Sequence, residues 1–302
     1  MVRLERGEIV EARVMLDGLA RAGSVTEARL VSRGANGRNA VARTADGTEC
    51  LLPRAPTGIA EGASLRIEIT REVIPGSEPW KRPLAKLAEN PTSEHFVQTE
   101  VLPFPSPTDR LAEAGWNDLI DEARSGIVRF PGGELAIETT RAMTLIDVDG
   151  LGSADELAVA GALAAARAIM RLDLQGSIGI DLPTAGKEAR QRAAGAIDAA
   201  LPQPFERTAV NGFGFVQIVR PRRRASLIEL ASDRAAFEAR ALLRRAAFEP
   251  AGAKTLAAHP AVIAVLEGNP GWLAELAAQL GGSVGLRPDP SLTMSAGHAE
   301  RA

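Results

Sequence analysis

Thr144-Leu145-Ile146-Asp147-Val148-Asp149 and, one helix further on, Ser177-Ile178-Gly179-Ile180-Asp181 are the stretches whose reading decides the fold. Each is an apolar run that ends in carboxylate. A strand buried on both faces stays apolar until its end, where an open α/β sheet meets the crevice that holds its ligands. Between the two, Ser153-x-x-Glu156 matches a capping box and opens an alanine-rich helix running through Leu172. Strand, helix and strand with a crossover of that length predict a right-handed parallel pair. As neighbours, such strands lie ~4.8 Å apart, which brings Asp147 and Asp181 close enough to share one ion. Asp149 projects from the same face as Asp147.

Three oxygen ligands without His or Cys select a hard cation, magnesium with manganese as its substitute. Magnesium usually keeps several waters beside one or two protein carboxylates. In a phosphodiesterase such an ion polarises a phosphoryl oxygen and makes bound water more acidic. Acidic strand ends also serve as helix caps or plain surface, so spacing alone leaves both readings open.

Working outward, residues 108–230 alternate strand and helix. A helix is expected over 111–123, strands over 133–138, 142–148, 177–182 and 214–219, and a helix over 187–201. Basic residues flank the carboxylates on both sides. Lys187, Arg190 and Arg192 begin the helix after Asp181, and Arg220-Pro221-Arg222-Arg223-Arg224 follows the last strand. Lys187, Arg190, Arg220, Arg222, Arg223 and Arg224 are therefore candidate phosphate contacts, beside the alternative of a solvated charged face.

Residues 1–73 read as short strands punctuated by Ala35-Asn36-Gly37, Asp46-Gly47 and Glu61-Gly62. They suit a small closed barrel of the oligonucleotide-binding type. Residues 1–79 contain no Phe, Trp or Tyr, so stacking, the usual grip of such barrels on bases, is missing there. Any RNA contact from this segment falls to its arginines, Arg71 included. Residues 74–107 hold Pro75, Pro79, Pro83, Pro91, Pro103, Pro105 and Pro107 and read as the domain linker. In it Trp80, Lys81, Arg82 and Lys86 combine an aromatic with cations that suit a phosphate backbone. Residues 231–302, with helices expected over 233–247 and 269–280, form a helical terminal subdomain.

Composition bounds the rest. The 302 residues, 45% hydrophobic and 24% charged, suit about two domains of ~100 to 200 residues. A net charge of -3 argues against a protein that coats polyanions generally and puts the weight on local patches. The single cysteine, Cys50, excludes an internal disulfide and a cysteine-rich zinc site; it reads as a small core residue in an intracellular chain. No run of ~18 apolar residues is present to span a membrane, nor is a leader evident at the start, so the expected location is the cytoplasm. No Gly-x-Ser-x-Gly turn, Walker loop or dinucleotide fingerprint occurs. His95, His259 and His298 are scattered and read as surface residues.

The stretch Val128-Arg129-Phe130-Pro131-Gly132-Gly133-Glu134-Leu135-Ala136-Ile137-Glu138-Thr139-Thr140-Arg141-Ala142-Met143, continuing into Thr144-Leu145-Ile146-Asp147-Val148-Asp149, resembles the catalytic region of the ribonuclease E/G family. There a Gly-Gly strand leads to a Thr-Glu-Ala-Leu-Thr-x-Ile-Asp-x-Asn signature. Gly176-Ser177-Ile178-Gly179-Ile180-Asp181 is similar to that family's Ile-Val-Ile-Asp strand, Asn211-Gly212-Phe213-Gly214 to its Ser-Arg-Phe-Gly turn, and the region of Leu292 to its closing Asp-Pro-x-Leu.

The resemblance implies an S1-type barrel within residues 1–73 and a DNase-I-like catalytic fold over 108–230. It implies that Asp147 and Asp181 chelate a catalytic magnesium beside Asp149, and that the substrate is single-stranded RNA. Departures matter equally. The Cys-Pro-x-Cys zinc link is absent, so no zinc is expected and any homo-oligomer forms without it. The Arg-Thr element that senses a 5′-monophosphate is missing, which predicts cleavage indifferent to the 5′ end. Asp149 replaces an amide, and Gly212 stands where the family has arginine. The rival expectations are a catalytically inactive RNA-binding protein on the same scaffold and a phosphodiesterase acting on DNA or a small phosphoester.

Overall fold

The computed structural model describes residues 1–74, 81–88, 100–102, 106 and 108–302. Trp80, His95 and every proline of the expected linker except Pro83 lie outside the described residues. The chain divides into two compact units, Met1–Val97 with Ser125–Ile228, and Gln98–Arg124 with Glu229–Ala302.

The first unit opens with an antiparallel hairpin of β1 (Val2–Glu5) and β2 (Glu8–Ala12). Next come β3 (Val25–Ser32), β4 (Arg38–Thr44), β5 (Glu49–Arg54), β6 (Ser64–Arg71) and β7 (Leu84–Leu87). These five close into a barrel in the order β3-β4-β5-β7-β6, with β5 and β7 parallel and the other pairs antiparallel. Alternation by two sends Ala28, Leu30, Ala40, Ala42, Cys50, Leu52, Leu65, Ile67, Ile69 and Ala85 inward. The many alanines fit the narrow bore. Cys50 is a core residue, as expected, and burial raises its thiol pKa.

The fifth strand comes from the segment read as linker. Leu84-Ala85-Lys86-Leu87 contains no proline, so its backbone donors are intact. Pro83, just ahead of it, keeps a useful carbonyl, which accepts from the Leu51 amide at 2.8 Å. Proline density marked the approach to a strand rather than the absence of one.

Continuing along the chain, α1 (Arg110–Glu113) and α2 (Trp116–Ser125) stand where one helix was expected. Then follow β8 (Ile127–Phe130), β9 (Gly133–Thr139), β10 (Thr144–Gly150), α3 (Ala154–Arg171), β11 (Gly176–Asp181), α4 (Lys187–Ala200), β12 (Glu206–Arg207) and β13 (Phe215–Arg220). The strands form one sheet in the order β12-β13-β11-β10-β9-β8. Only β10 and β11 are parallel; the remaining pairs are antiparallel.

This corrects one premise of the sequence reading, that the strands are buried on both faces. The helices α3 and α4 pack side by side and cover one face, burying Leu135, Ile137, Ile146, Val148, Ile178, Ile180, Val216 and Ile218. The other face is open: Leu145 is 37% and Val219 50% exposed. A single crossover supplies helices to one side only, and alternation leaves every second residue uncovered.

The capping reading of Ser153 holds, since its hydroxyl accepts from the Glu156 amide at 3.3 Å. Close approach of α3 to β10 depends on Gly161, where a Cβ would meet Val148 Cγ1 at 2.3 Å.

After α5 (Leu227–Ser232) the second unit continues with α6 (Arg234–Ala246), β14 (Lys254–Ala258), α7 (Pro260–Glu267), α8 (Pro270–Leu280), β15 (Val284–Pro288) and β16 (His298–Arg301). Its core joins Leu242, Leu256, Val262, Ile263, Leu266, Leu276 and Leu280. The expected helical subdomain also carries a three-stranded sheet in the order β15-β14-β16 and is thus an α/β unit. Thr255-Leu256-Ala257-Ala258 is too short and alanine-rich for its period to separate strand from helix. Among the described residues no helix is long and apolar enough to cross a membrane.

Replacing Gly161 with valine should destabilise the protein by about 1–3 kcal/mol, because the added atoms overlap a stiff β-branched neighbour. A urea midpoint equal to wild type would show that α3 can lift from β10 without loss.

Candidate active site

The register of β10 on β11 pairs Thr144 with Ile178, Ile146 with Ile180, and Asp147 with Asp181. Residues paired in register share a face, so if Ile146 and Ile180 are buried, Asp147 and Asp181 both emerge on the open side. Their strands are adjacent at a spacing of ~4.8 Å. Asp149 lies on the same face of β10, roughly 6.6 Å further along, and is paired with Glu134 of β9. All three aspartates are exposed. Among the described residues none of them has an ion-pair or hydrogen-bond partner.

The three do not gather as one cage. Among the described residues no set of three His, Cys, Asp or Glu side chains is placed to hold a metal ion. What the register delivers is the pair Asp147 and Asp181, with Asp149 one strand repeat away. Two hard carboxylates on an open face fit a magnesium ion that retains most of its waters.

Three loops surround this end of the sheet. The turn after β10 carries Leu151, 87% exposed, whose amide donates to Gly132 O at 2.9 Å. In the β11–α4 connection the Gly186 amide donates to Asp155 Oδ1 at 2.8 Å, tying the starts of the two helices together. The third is the tight turn Asn211–Gly214 before β13, next to Asp181 because Asp181 pairs with Phe215. Asn211 Oδ1 accepts from the amides of Phe213 at 2.9 Å and Phe215 at 3.1 Å. Gly214 has φ +97°, and a Cβ there would stand 2.0 Å from Leu182 O, so only glycine fits. Phe213, at the tip, is 83% exposed.

Of the cations read as phosphate contacts, Lys187 is exposed at the first residue of α4. Arg190 is half-buried, with Nη1 donating to Ala185 O at 3.5 Å and standing 3.8 Å from the Cβ position that Gly212 lacks. A guanidinium therefore sits beside Gly212 although that position itself carries none. Arg192 is exposed on the same helix.

The Arg220–Arg224 cluster needs correction. Arg220 turns inward, donating to Leu174 O at 2.9 Å and to Met170 Sδ at 3.5 Å; burial pulls its pKa down against the attraction of Asp173. Arg224 donates to Asp173 Oδ2 at 3.1 Å and faces Glu72 Oε1 at 3.9 Å, with both partners nearly buried. Arg222 lies against Gly176. Only the Arg223 side chain is exposed, and its backbone is used by Gln175 Oε1 at 2.6 Å and by the Glu72 amide at 2.7 Å. Arg220 and Arg224 thus serve the fold, and Arg224 with the Arg223 backbone joins the barrel segment at Glu72 to the sheet.

On the barrel, Arg82 pairs with Glu49 at 2.9 Å and Lys86 with Glu68 at 3.1 Å. Arg71 Nη2 donates to Arg82 O at 3.2 Å, and Lys81 is exposed. Exposed pairs of this kind are worth ~0.2–1 kcal/mol, so a phosphate can exchange with the carboxylate at little cost. The two described histidines have local partners: His259 Nδ1 caps α7 by accepting from the Ala261 amide at 3.1 Å, and His298 Nε2 contacts Glu300 at 3.0 Å.

The sequence reading did not single out the Phe213 side chain, although an aromatic flanked by glycines in a turn has no element face on which to be buried. In comparisons with known proteins, no family model and no curated protein matches this chain.

Arg224→Ala should cost about 3 kcal/mol of stability, since it strands Asp173 with an uncompensated charge. Arg223→Ala should remain within about 0.5 kcal/mol of wild type. Equal urea midpoints for the two variants would remove Arg224 from the framework of the fold.

Proposed function

We propose that this protein is a small cytoplasmic, magnesium-dependent endoribonuclease that hydrolyses single-stranded RNA, a short relative of the ribonuclease E/G family without its zinc link. In this reading the five-stranded barrel is the S1-type module and the six-stranded sheet the DNase-I-like catalytic part. The observation that carries it is the in-register pair Asp147 and Asp181, two like charges adjacent on an open face without a neutralising partner. Such an arrangement is unfavourable by itself and becomes favourable with a divalent ion between the strands.

Asp147 and Asp181 would hold the magnesium, with Asp149 next to it on the same face. When bound, the ion supplies polarisation of a phosphoryl oxygen and a more acidic water. The chain's own residues do the rest. Lys187 and Arg190 attract and orient the phosphate backbone next to the carboxylates, and their unpatterned charge reads no sequence. Asp149, as a carboxylate where the resemblance has an amide, adds negative charge that strengthens cation attraction. Arg71, Lys81, Arg82, Lys86, Arg222 and Arg223 form the outlying contacts; Arg220 and Arg224 are excluded by their internal partners.

In a cleavage assay on a short single-stranded RNA, wild type should cut in magnesium and manganese and not in EDTA. Asp147→Asn and Asp181→Asn should each lose activity by on the order of 100-fold or more with unchanged urea midpoints. RNA binding by a wild type that never cuts would instead identify an inactive binding protein, and cleavage of DNA at the same rate would overturn the substrate assignment. Versions of one RNA with a 5′-monophosphate and a 5′-hydroxyl should be cut at the same rate; a large preference for either would contradict indifference to the 5′ end.

A further inference from the structure

Phe213 is the only exposed aromatic side chain among the described residues. Exposing most of a phenyl ring forfeits the burial that places nearly every other Phe and Trp of the described chain in contact with neighbours. Its position is also held in place from several directions. Besides the two amides bound by Asn211 Oδ1, the Asn211 amide donates to Phe215 O at 3.0 Å, Gly214 to Asn211 O at 3.2 Å and Leu182 to Gly214 O at 3.3 Å. Thr184 Oγ1 donates to Phe213 O at 3.4 Å. An exposed ring on a floppy loop would be unremarkable surface; this one sits on a turn cross-linked to the strand end that carries Asp181.

From this we infer that Phe213 is a nucleobase-stacking platform, which holds an unpaired base of the substrate strand next to the Asp147 and Asp181 pair. The inference deepens the nuclease reading and rests on it for the identity of the ligand. An aromatic face accepts any base, so the platform selects single strands over duplex without selecting sequence. Arg190, whose guanidinium lies beside Gly212 one residue away, is suited to the phosphate that accompanies the stacked base. The barrel's first strands offer no aromatic alternative, because residues 1–74 hold none.

Stacking and phosphate contact have different physical signatures. Stacking is nearly indifferent to salt, whereas each phosphate contact to a single strand adds ~0.7 to the slope of log affinity against log salt. The test is fluorescence anisotropy of labelled oligouridylate in EDTA, so that cleavage plays no part, over a series of salt concentrations. Phe213→Ala should weaken binding by on the order of 10- to 100-fold and leave the slope unchanged. Phe213→Trp should restore the affinity. Arg190→Ala should lower the slope by ~0.7. An abasic sugar-phosphate strand should bind wild type and Phe213→Ala equally.

Unchanged oligouridylate affinity in Phe213→Ala, with a wild-type urea midpoint, would overturn the inference and assign the exposed ring to a protein contact. A loss seen equally with the abasic strand would overturn it too, since no base is then involved. Because binding is read in EDTA, a failure of stacking and a failure of the nuclease reading remain distinguishable: the first leaves magnesium-dependent cleavage intact, the second leaves base-dependent binding intact.

Discussion

Everything at the proposed site descends from one pairing, the parallel register of β10 on β11. Ile146 and Ile180 are buried while Asp147 and Asp181 are exposed, and Ile146 beside Ile180 determines that Asp147 stands beside Asp181. A slip of one residue would drive a carboxylate under the helices and lift an isoleucine into water. Burying an unpaired carboxylate is prohibitively expensive unless it takes up a proton, and exposing the isoleucine forfeits ~1.5–3 kcal/mol. The hydrophobic face thus holds the charged face in register, although no residue of the first touches a ligand.

That register imposes a cost which the fold accepts. Two carboxylates about 5 Å apart repel by roughly 1 kcal/mol in a water-like medium and by ~3 kcal/mol at an effective dielectric constant of 20. The open face keeps them near the lower figure, so the free protein tolerates the pair. A divalent ion reverses the sign of the interaction. Other carboxylates have a cation beside them: Asp109 takes a bidentate contact from Arg244 at 2.6 and 2.8 Å, and Asp198 is held by Arg207, lowering its pKa. What sets Asp147 and Asp181 apart from single exposed carboxylates is that the register places two of them side by side, and like charges brought together concentrate at functional sites.

Much of this was legible in the residues. The capped helix from Ser153, the two acid-ended strands and their parallel partnership follow from patterns of period 3.6 and 2, and the structure has them. Less legible was which face the helices cover, because Leu145 reads as part of a continuous apolar run while alternation places it on the open side. β7 was hidden by the prolines around it, and the strands of the second unit by their shortness. The arginine cluster misled for a different reason: a charge run shows how many cations are present but not where their partners lie, and Asp173 and Glu72 are distant in sequence from Arg224. Only folding brings them together.

The fate of those arginines changes where RNA contact must be sought. With Arg220 and Arg224 engaged inside the unit, the proposed phosphate contacts of the sheet fall to Lys187 and Arg190, on the helix that leaves β11. Arg190 is close to the Asn211–Gly214 turn, its Nη1 3.8 Å from the position of a Cβ on Gly212. Under the proposed function, affinity and positioning would come from the loops of the six-stranded sheet, and a barrel without aromatics in its first strands would contribute through exchangeable surface pairs such as Arg82 with Glu49. Under the same proposal, a strand gripped chiefly beside the carboxylates would need no distant anchor at its 5′ end, which would give the proposed indifference to that end a physical basis independent of any missing motif.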